Sequence, residues 1–131
     1  MSISIDSALG IHQDALRVRA RRAELLASNI ANADTPNYKA RDIDFRAALG
    51  QAREALTQPV RTHANHLSTP GARQPGGEPL FRVPNQPSLD GNTVDLQAEQ
   101  AAFAQNSVQY QASLQFLGSK FKGLLTAIRG E

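Results

Sequence analysis

The feature that most constrains this chain is a sevenfold repeat near its C-terminus. Leu96, Phe103, Tyr110, Leu117 and Leu124 recur at strict intervals of seven, and Ser107, Leu114, Phe121 and Ile128 repeat that interval four residues out of step. Residues spaced alternately three and four apart share one side of a helix. The run therefore predicts one helix from about 94 to 128, with a coiled-coil seam of about four and a half heptads. Only Gln100 and Ser107 interrupt its apolar character. Such a helix is roughly 50 Å long at 1.5 Å per residue. The preceding "DGNTVDLQAEQ" offers Asp90-Gly91 as a turn and Asn92 or Thr93 as a cap.

A second, narrower seam lies near the other end. Leu9, Leu16, Ala23 and Ile30 recur every seven residues, with Ala20 and Ala27 four after Leu16 and Ala23. Arg17, Arg19, Arg21 and Arg22 fall mostly off it, and Asp6 or Ser7 can cap its start. The pattern predicts a helix from about 8 to 33. Between the two seams, residues 57–91 hold six of the seven prolines and four of the nine glycines. That stretch excludes a long helix or a central strand and is expected to be loop, partly disordered or with a short hairpin around "PLFRVP".

The expected fold is thus mainly α. Long N- and C-terminal helices pair as a coiled-coil hairpin, joined by a Pro/Gly-rich, largely irregular middle. The divisions fall at 1–56, 57–91 and 92–131, the two helical ends forming one domain. With 131 residues there is one domain at most. A lone pair of long helices buries too little surface to be stable, so the seams are expected to be completed by other chains.

Composition narrows the functional classes. The chain has no cysteine, which excludes disulfides, thiolate catalysis and Cys-ligated zinc. Fourteen basic against twelve acidic residues give a net charge of only +2, too small a surplus to imply nucleic-acid binding. "MSISIDSALGIHQDAL" lacks the basic and apolar regions of a secretory signal peptide, and no window approaches the roughly 20 apolar residues of a membrane span. The expectation is a cytoplasmic chain, or one exported without a cleaved signal.

Candidate chemistry is sparse. His63 and His66, three apart in "THANHL", have a metal-like spacing but no nearby carboxylate or cysteine to complete a site. Asp34, Asp42 and Asp44 alternate with Lys39 and Arg41, a pattern of salt pairing and capping rather than acid–base work. "RVRARR" shares its helix with Asp14 and Glu24 and lacks interleaved readout residues. No P-loop, GxGxxG or GxSxG occurs. The chain is therefore expected not to be an enzyme, and to take no cofactor, metal, nucleic acid or small-molecule substrate.

The most distinctive stretch is "LLASNIANADTPNYKARDIDF", Leu25–Phe45. Asn29 and Asn32 share a helix face beside Ile30, where asparagine weakens the helix but can hydrogen-bond to another helix and fix register. Pro36 pushes Thr35 out of the α region and ends the helix near Ala33 or Asp34. It then fits position i+1 of a turn over Thr35–Tyr38, with Asn37 at i+2 as one of the few non-glycine residues that tolerate positive φ there. Tyr38 is left to pack after the reversal.

This stretch resembles the N-terminal signature of bacterial flagellar axial proteins, those of rod, hook and hook-filament junction. "YKARDIDF", "SLDGNTVDL" and "NSVQYQASLQFLGSKFKGLLTAIRGE" are similar to the basal-body rod protein family, closest to its proximal-rod members. The resemblance covers both ends of the chain, about two-thirds of it. The family usually carries glycine where this chain has Asn37.

The resemblance implies a structural, self-assembling subunit of the flagellar rod, packed around the export channel and needed for motility. It implies export through the flagellar type III apparatus into the periplasmic space. It also implies contacts with other copies of the chain, other rod proteins, the inner-membrane ring and its rod adaptor. "FRAAL" matches a family export motif through Phe45 and Leu49, a spacing equally common in helix packing. The subunit interface is expected at Leu16, Ala20, Ala23, Ala27, Asn29, Ile30, Asn32, Thr35, Pro36, Asn37 and Tyr38. On the C-terminal helix it is expected at Phe103, Tyr110, Leu114, Leu117, Phe121, Leu124 and Ile128. A cytoplasmic coiled-coil adaptor or regulator, or another flagellar rod subunit, is the alternative.

Overall fold

The computed structural model describes residues 5–57, 77–84 and 86–130; His63 and His66 lie outside them. The order of elements is α1 (Ile5–Ala31), β1 (Arg41–Ile43), α2 (Phe45–Thr57), β2 (Pro79–Phe81) and α3 (Leu96–Arg129). The two long helices run antiparallel. Asn29 near the end of α1 bonds Glu99 near the start of α3, and Arg19 bonds Ser113, about four turns further along α3. The long pair of terminal helices and the mainly helical class are as the two heptad seams predict.

Local chemistry explains the boundaries. α1 begins at Ile5, so Asp6 and Ser7 fall within its first turn rather than before it. α3 starts at Asp95, whose carboxylate accepts from the Ala98 amide at 3.2 Å, and not at Asn92 or Thr93. Those two side chains are engaged elsewhere: Asn92 on the end of α1, and Thr93 Oγ1 with the Ala40 amide. α3 stops at Gly130, which adopts φ 75° and returns its amide to the Thr126 carbonyl.

Two elements depart from expectation. "PLFRVP" does not close a local hairpin. Its residues 79–81 pair antiparallel with β1, Arg41 opposite Phe81 and Ile43 opposite Pro79. α2 is an additional helix, started by Asp44, whose side chain accepts from the amides of Arg46 and Ala47. Phe45, Ala48, Leu49 and Ala52 then give it an apolar face, of which Ala48 and Ala52 are buried.

α2 and β1 alter how α1 is used. Covered by α3 on one side and by α2 and β1 on another, α1 buries Val18, Leu26 and Asn29, while of its sevenfold seam only Leu9 is buried. Val18 packs with Ile43 and Ala48, flanked by Leu25 and Phe45. Gly77 lets the incoming segment cross this cluster. At φ 81° an added Cβ would stand 2.7 Å from Ile43 Cγ2 and 2.8 Å from Ala48 Cβ. Leu16, Ala23 and Ile30 are only half-buried, and Ala20 and Ala27 are exposed.

The same displacement appears on α3. Its buried residues are Glu99 and Asn106, whereas Phe103, Leu114, Phe121 and Ile128 are exposed and Tyr110, Leu117 and Leu124 half-buried. The helices therefore meet along a polar register, Glu99, Asn106 and Ser113, which also repeats every seven residues. Both apolar seams lie to one side of that contact. Ala20 and Ala23 line a shared groove with Ser107 and Tyr110. No helix among the described residues is long and apolar enough to cross a membrane.

Candidate assembly site

The two signature stretches, 28–43 and 88–99, fold into each other. At the end of α1 the amides of Asn32 and Ala33 still reach back to Ser28, Asn29 and Ile30. The Tyr38 amide then bonds the Thr35 carbonyl at 3.3 Å, closing a turn with Pro36 and Asn37 in the middle. Asn37 has φ 61°, the positive value that position i+2 of a type II turn requires.

The Asn32 and Thr35 carbonyls each accept one backbone amide, and a distant side chain adds a donor to both and to the Ala33 carbonyl. Asn92 Nδ2 lies 3.1, 2.7 and 3.0 Å from the carbonyl oxygens of Asn32, Ala33 and Thr35. Its Oδ1 accepts from the Val94 amide at 2.8 Å, so the amide is engaged at both ends. Backbone bonds complete the junction: Asn37 N–H to Asp90 O at 2.9 Å and Thr93 N–H to Tyr38 O at 3.0 Å. Gly91 sits at φ 73°, and a Cβ there would stand 2.6 Å from Asn37 Oδ1. Lys39 Nζ donates to the Gly91 carbonyl at 2.6 Å.

Asn29 works as a substitute strand. Its Nδ2 donates to the Arg41 carbonyl at 2.8 Å while its Oδ1 accepts from the Arg41 amide at 3.1 Å, so one side chain holds β1 as a neighbouring strand would. Nδ2 also reaches Glu99 Oε2 at 3.1 Å, and the Tyr38 hydroxyl donates to Oδ1 at 3.4 Å. With 1% of its surface exposed, Asn29 meets another helix of its own chain. Asn32 is likewise satisfied locally, donating to the Ser28 carbonyl and accepting from the Thr35 hydroxyl.

Beneath this junction lies a balanced ionic chain. Arg22 grips Asp42 with two bonds, 2.8 and 2.9 Å. Arg82 bridges Asp42 at 2.6 Å and Glu99 at 2.7 Å. Glu99 is fully buried, a position a carboxylate tolerates only when paired and hydrogen-bonded. Burial alone would raise the Asp42 pKa, but the bonds from Arg22 and Arg82 outweigh it and hold the carboxylate below its ordinary range. "KARDIDF" is thereby tied into its own chain through Asp42, while Asp44 caps α2.

Arg19 ties three helices. It donates to Gln109 Oε1 at 2.5 Å and Ser113 Oγ at 3.2 Å on α3, and its guanidinium lies 4.1 Å over the Phe45 ring on α2. Phe45 and Leu49 are half-buried on α2. Among the predicted residues, Thr35, Pro36 and Asn37 are exposed on the turn and Tyr38 half-buried, its hydroxyl 3.1 Å from Ser28 Oγ.

Sequence reasoning missed Arg22, Arg82, Glu99 and Asn106, and saw Asn92 only as a possible cap. The available signal was the polar sevenfold run Glu99, Asn106 and Ser113, placed between apolar positions three and four residues away.

The model of the flagella basal body rod protein family matches residues 9–39. The chain is 50% identical to the flagellar basal body rod protein FlgB of Aeromonas hydrophila, over 100% of this chain and 99% of that protein. It is 53% identical to FlgB of Cereibacter sphaeroides, over 94% of each chain, and 46% identical to FlgB of Salmonella typhimurium, over 96% of each.

Proposed function

The chain belongs to the flagellar basal-body rod protein family and is a structural subunit of that rod; from that premise we propose that it builds the proximal rod through the apolar side of its helical hairpin. One observation carries the reading. The polar signature residues are engaged within the chain, whereas Phe103, Leu114, Phe121 and Ile128 are 37, 45, 44 and 75% exposed along one helix. A soluble monomer gains nothing from so long an apolar strip, but a subunit packed among other helices does.

In this reading the interface comprises Leu16, Ala20, Ala23, Ala27 and Ile30 of α1 and the seam of α3 from Phe103 to Ile128. The exposed turn at Thr35, Pro36 and Asn37 adds a contact at one end. Asn29 is left out, because its amide is already satisfied. The partners are further copies of the chain, other rod proteins, the inner-membrane ring with its rod adaptor, and the type III export apparatus. The location is the periplasmic part of the basal body. Phe45 and Leu49 serve export as an unfolded segment, since folding half-buries both.

Leu117→Asp and Phe121→Asp test the proposal. Each should abolish swimming in a strain lacking the native chain while leaving its expression intact. Normal swimming of both variants would refute the interface. Strict cytoplasmic retention in a cell with a working export apparatus would instead favour an adaptor role.

A further inference from the structure

One buried atom is left without a partner on the open side of the hairpin. Asn106 is 1% exposed, and its Oδ1 is the buried side-chain acceptor that lacks a hydrogen bond among the described residues. Its Nδ2 donates to the Arg19 carbonyl at 2.9 Å. That bond fixes the orientation of the amide, since the flipped form would set two oxygens against each other. An unpaired buried carbonyl weakens the isolated chain, and a buried asparagine of this kind serves register in coiled coils when a partner arrives. Asn106 lines an open groove of about 200 Å³ between α1 and α3, with Ala20 and Ala23 as small neighbours.

The distal half of α3 has the opposite character. Leu114, Phe121, Leu125 and Ile128 follow at spacings of seven, four and three, so they share one face, and they are 44 to 75% exposed. From Leu114 to Arg129 the helix has three basic residues and no acidic one, so its charged groups are all donors. Lys122 borders this face, one after Phe121 and three before Leu125.

We propose that the groove at Ala20, Ala23 and Asn106 receives the distal α3 of a second copy of this chain, with that copy's Lys122 donating to Asn106 Oδ1. The inference rests on the rod reading and names the contact that sets its register. Large apolar residues meet a groove lined by Ala20, Ala23 and Ser107 together with Arg19, Tyr110 and Gln111, and a donor meets the unpaired acceptor. Groove and knob are different patches of one molecule, so the contact is heterologous. It repeats from copy to copy as a ring or helix rather than closing as a dimer.

The chain has no cysteine, which makes crosslinking clean. Ala20→Cys and Leu125→Cys are placed in separate copies, co-expressed in place of the native chain, and isolated basal bodies are oxidised. Within one chain the pair cannot form. Ala20 sits beside Ser107, and Leu125 is roughly 27 Å further along α3, far beyond the ~7 Å reach of a disulfide. The expected product has twice the chain mass, and Asn106→Leu or Lys122→Met lowers its yield at least tenfold. The melting temperature of purified Asn106→Leu is expected not to fall, and Lys122→Met alters only an exposed side chain. Recovery of both copies in basal bodies without the crosslink, or an adduct with a different protein only, overturns the proposed contact. Full yield in both variants overturns the role of Asn106. Absence of the chain from basal bodies overturns the rod reading beneath it.

Discussion

The two ends of the hairpin are held by opposite means. At the turn end, Asn29, Glu99, Arg82 and Asp42 are linked, and Asn92 is held to the Ala33 carbonyl, by hydrogen bonds of 2.6 to 3.1 Å. At the distal end, Phe116, Phe121, Leu125 and Ile128 are 64, 44, 52 and 75% exposed. This inverts the usual arrangement of polar surface and apolar interior. Directional polar contacts define the shape of the subunit, and the non-directional apolar surface is kept for packing with other chains.

Breaking the turn end should cost the most. Glu99→Leu leaves Arg82 half-paired and removes an acceptor from Asn29, so a loss of about 3 kcal/mol is expected in urea denaturation. The double variant Glu99→Leu with Arg82→Met should recover most of that loss, because no buried charge is then left alone. Asn92→Ala leaves the Ala33 carbonyl without its donor and takes a second donor from the Asn32 and Thr35 carbonyls, and should cost about 2 kcal/mol in the same assay. Gly91→Ala forces a side chain to φ 73° against Asn37, for about 1–2 kcal/mol.

Acid should act on the same end. The folded pKa of Asp42 is depressed, so its contribution is complete at neutral pH. That contribution is lost as pH falls through the ordinary carboxylate range near about 4 and below. Asp42→Asn should flatten the fall of melting temperature over that interval, and an unchanged acid profile would remove Asp42 from the account. The smallest effect is expected at Asn37→Gly, where positive φ is already present and stability should change by no more than about 0.5 kcal/mol.

The parts of the fold governed by local chemistry were legible in the sequence. Thr35-Pro36-Asn37 marked the stop of α1 to within two or three residues, since the helix ends at Ala31 rather than Ala33 or Asp34, and marked the residue that adopts positive φ. The heptads gave two long helices. They did not give the face on which the helices meet, because that depends on α2 and β1 competing for α1. Asp44 followed by Phe45, Ala48, Leu49 and Ala52 is a capped amphipathic helix that a reading focused on the two seams overlooked. Arg82 joins Asp42 and Glu99 from 40 and 17 residues away. No local pattern announces such a bridge, since each residue alone looks like a solvated charge.

The central claim is that the turn end makes the subunit and the distal face makes the rod. Its most direct measurement compares the recovery of Phe121→Asp in purified basal bodies with its melting temperature as an isolated chain. The account predicts an unchanged melting temperature and no recovery in basal bodies. Full recovery of this variant, in cells that swim normally, would contradict it.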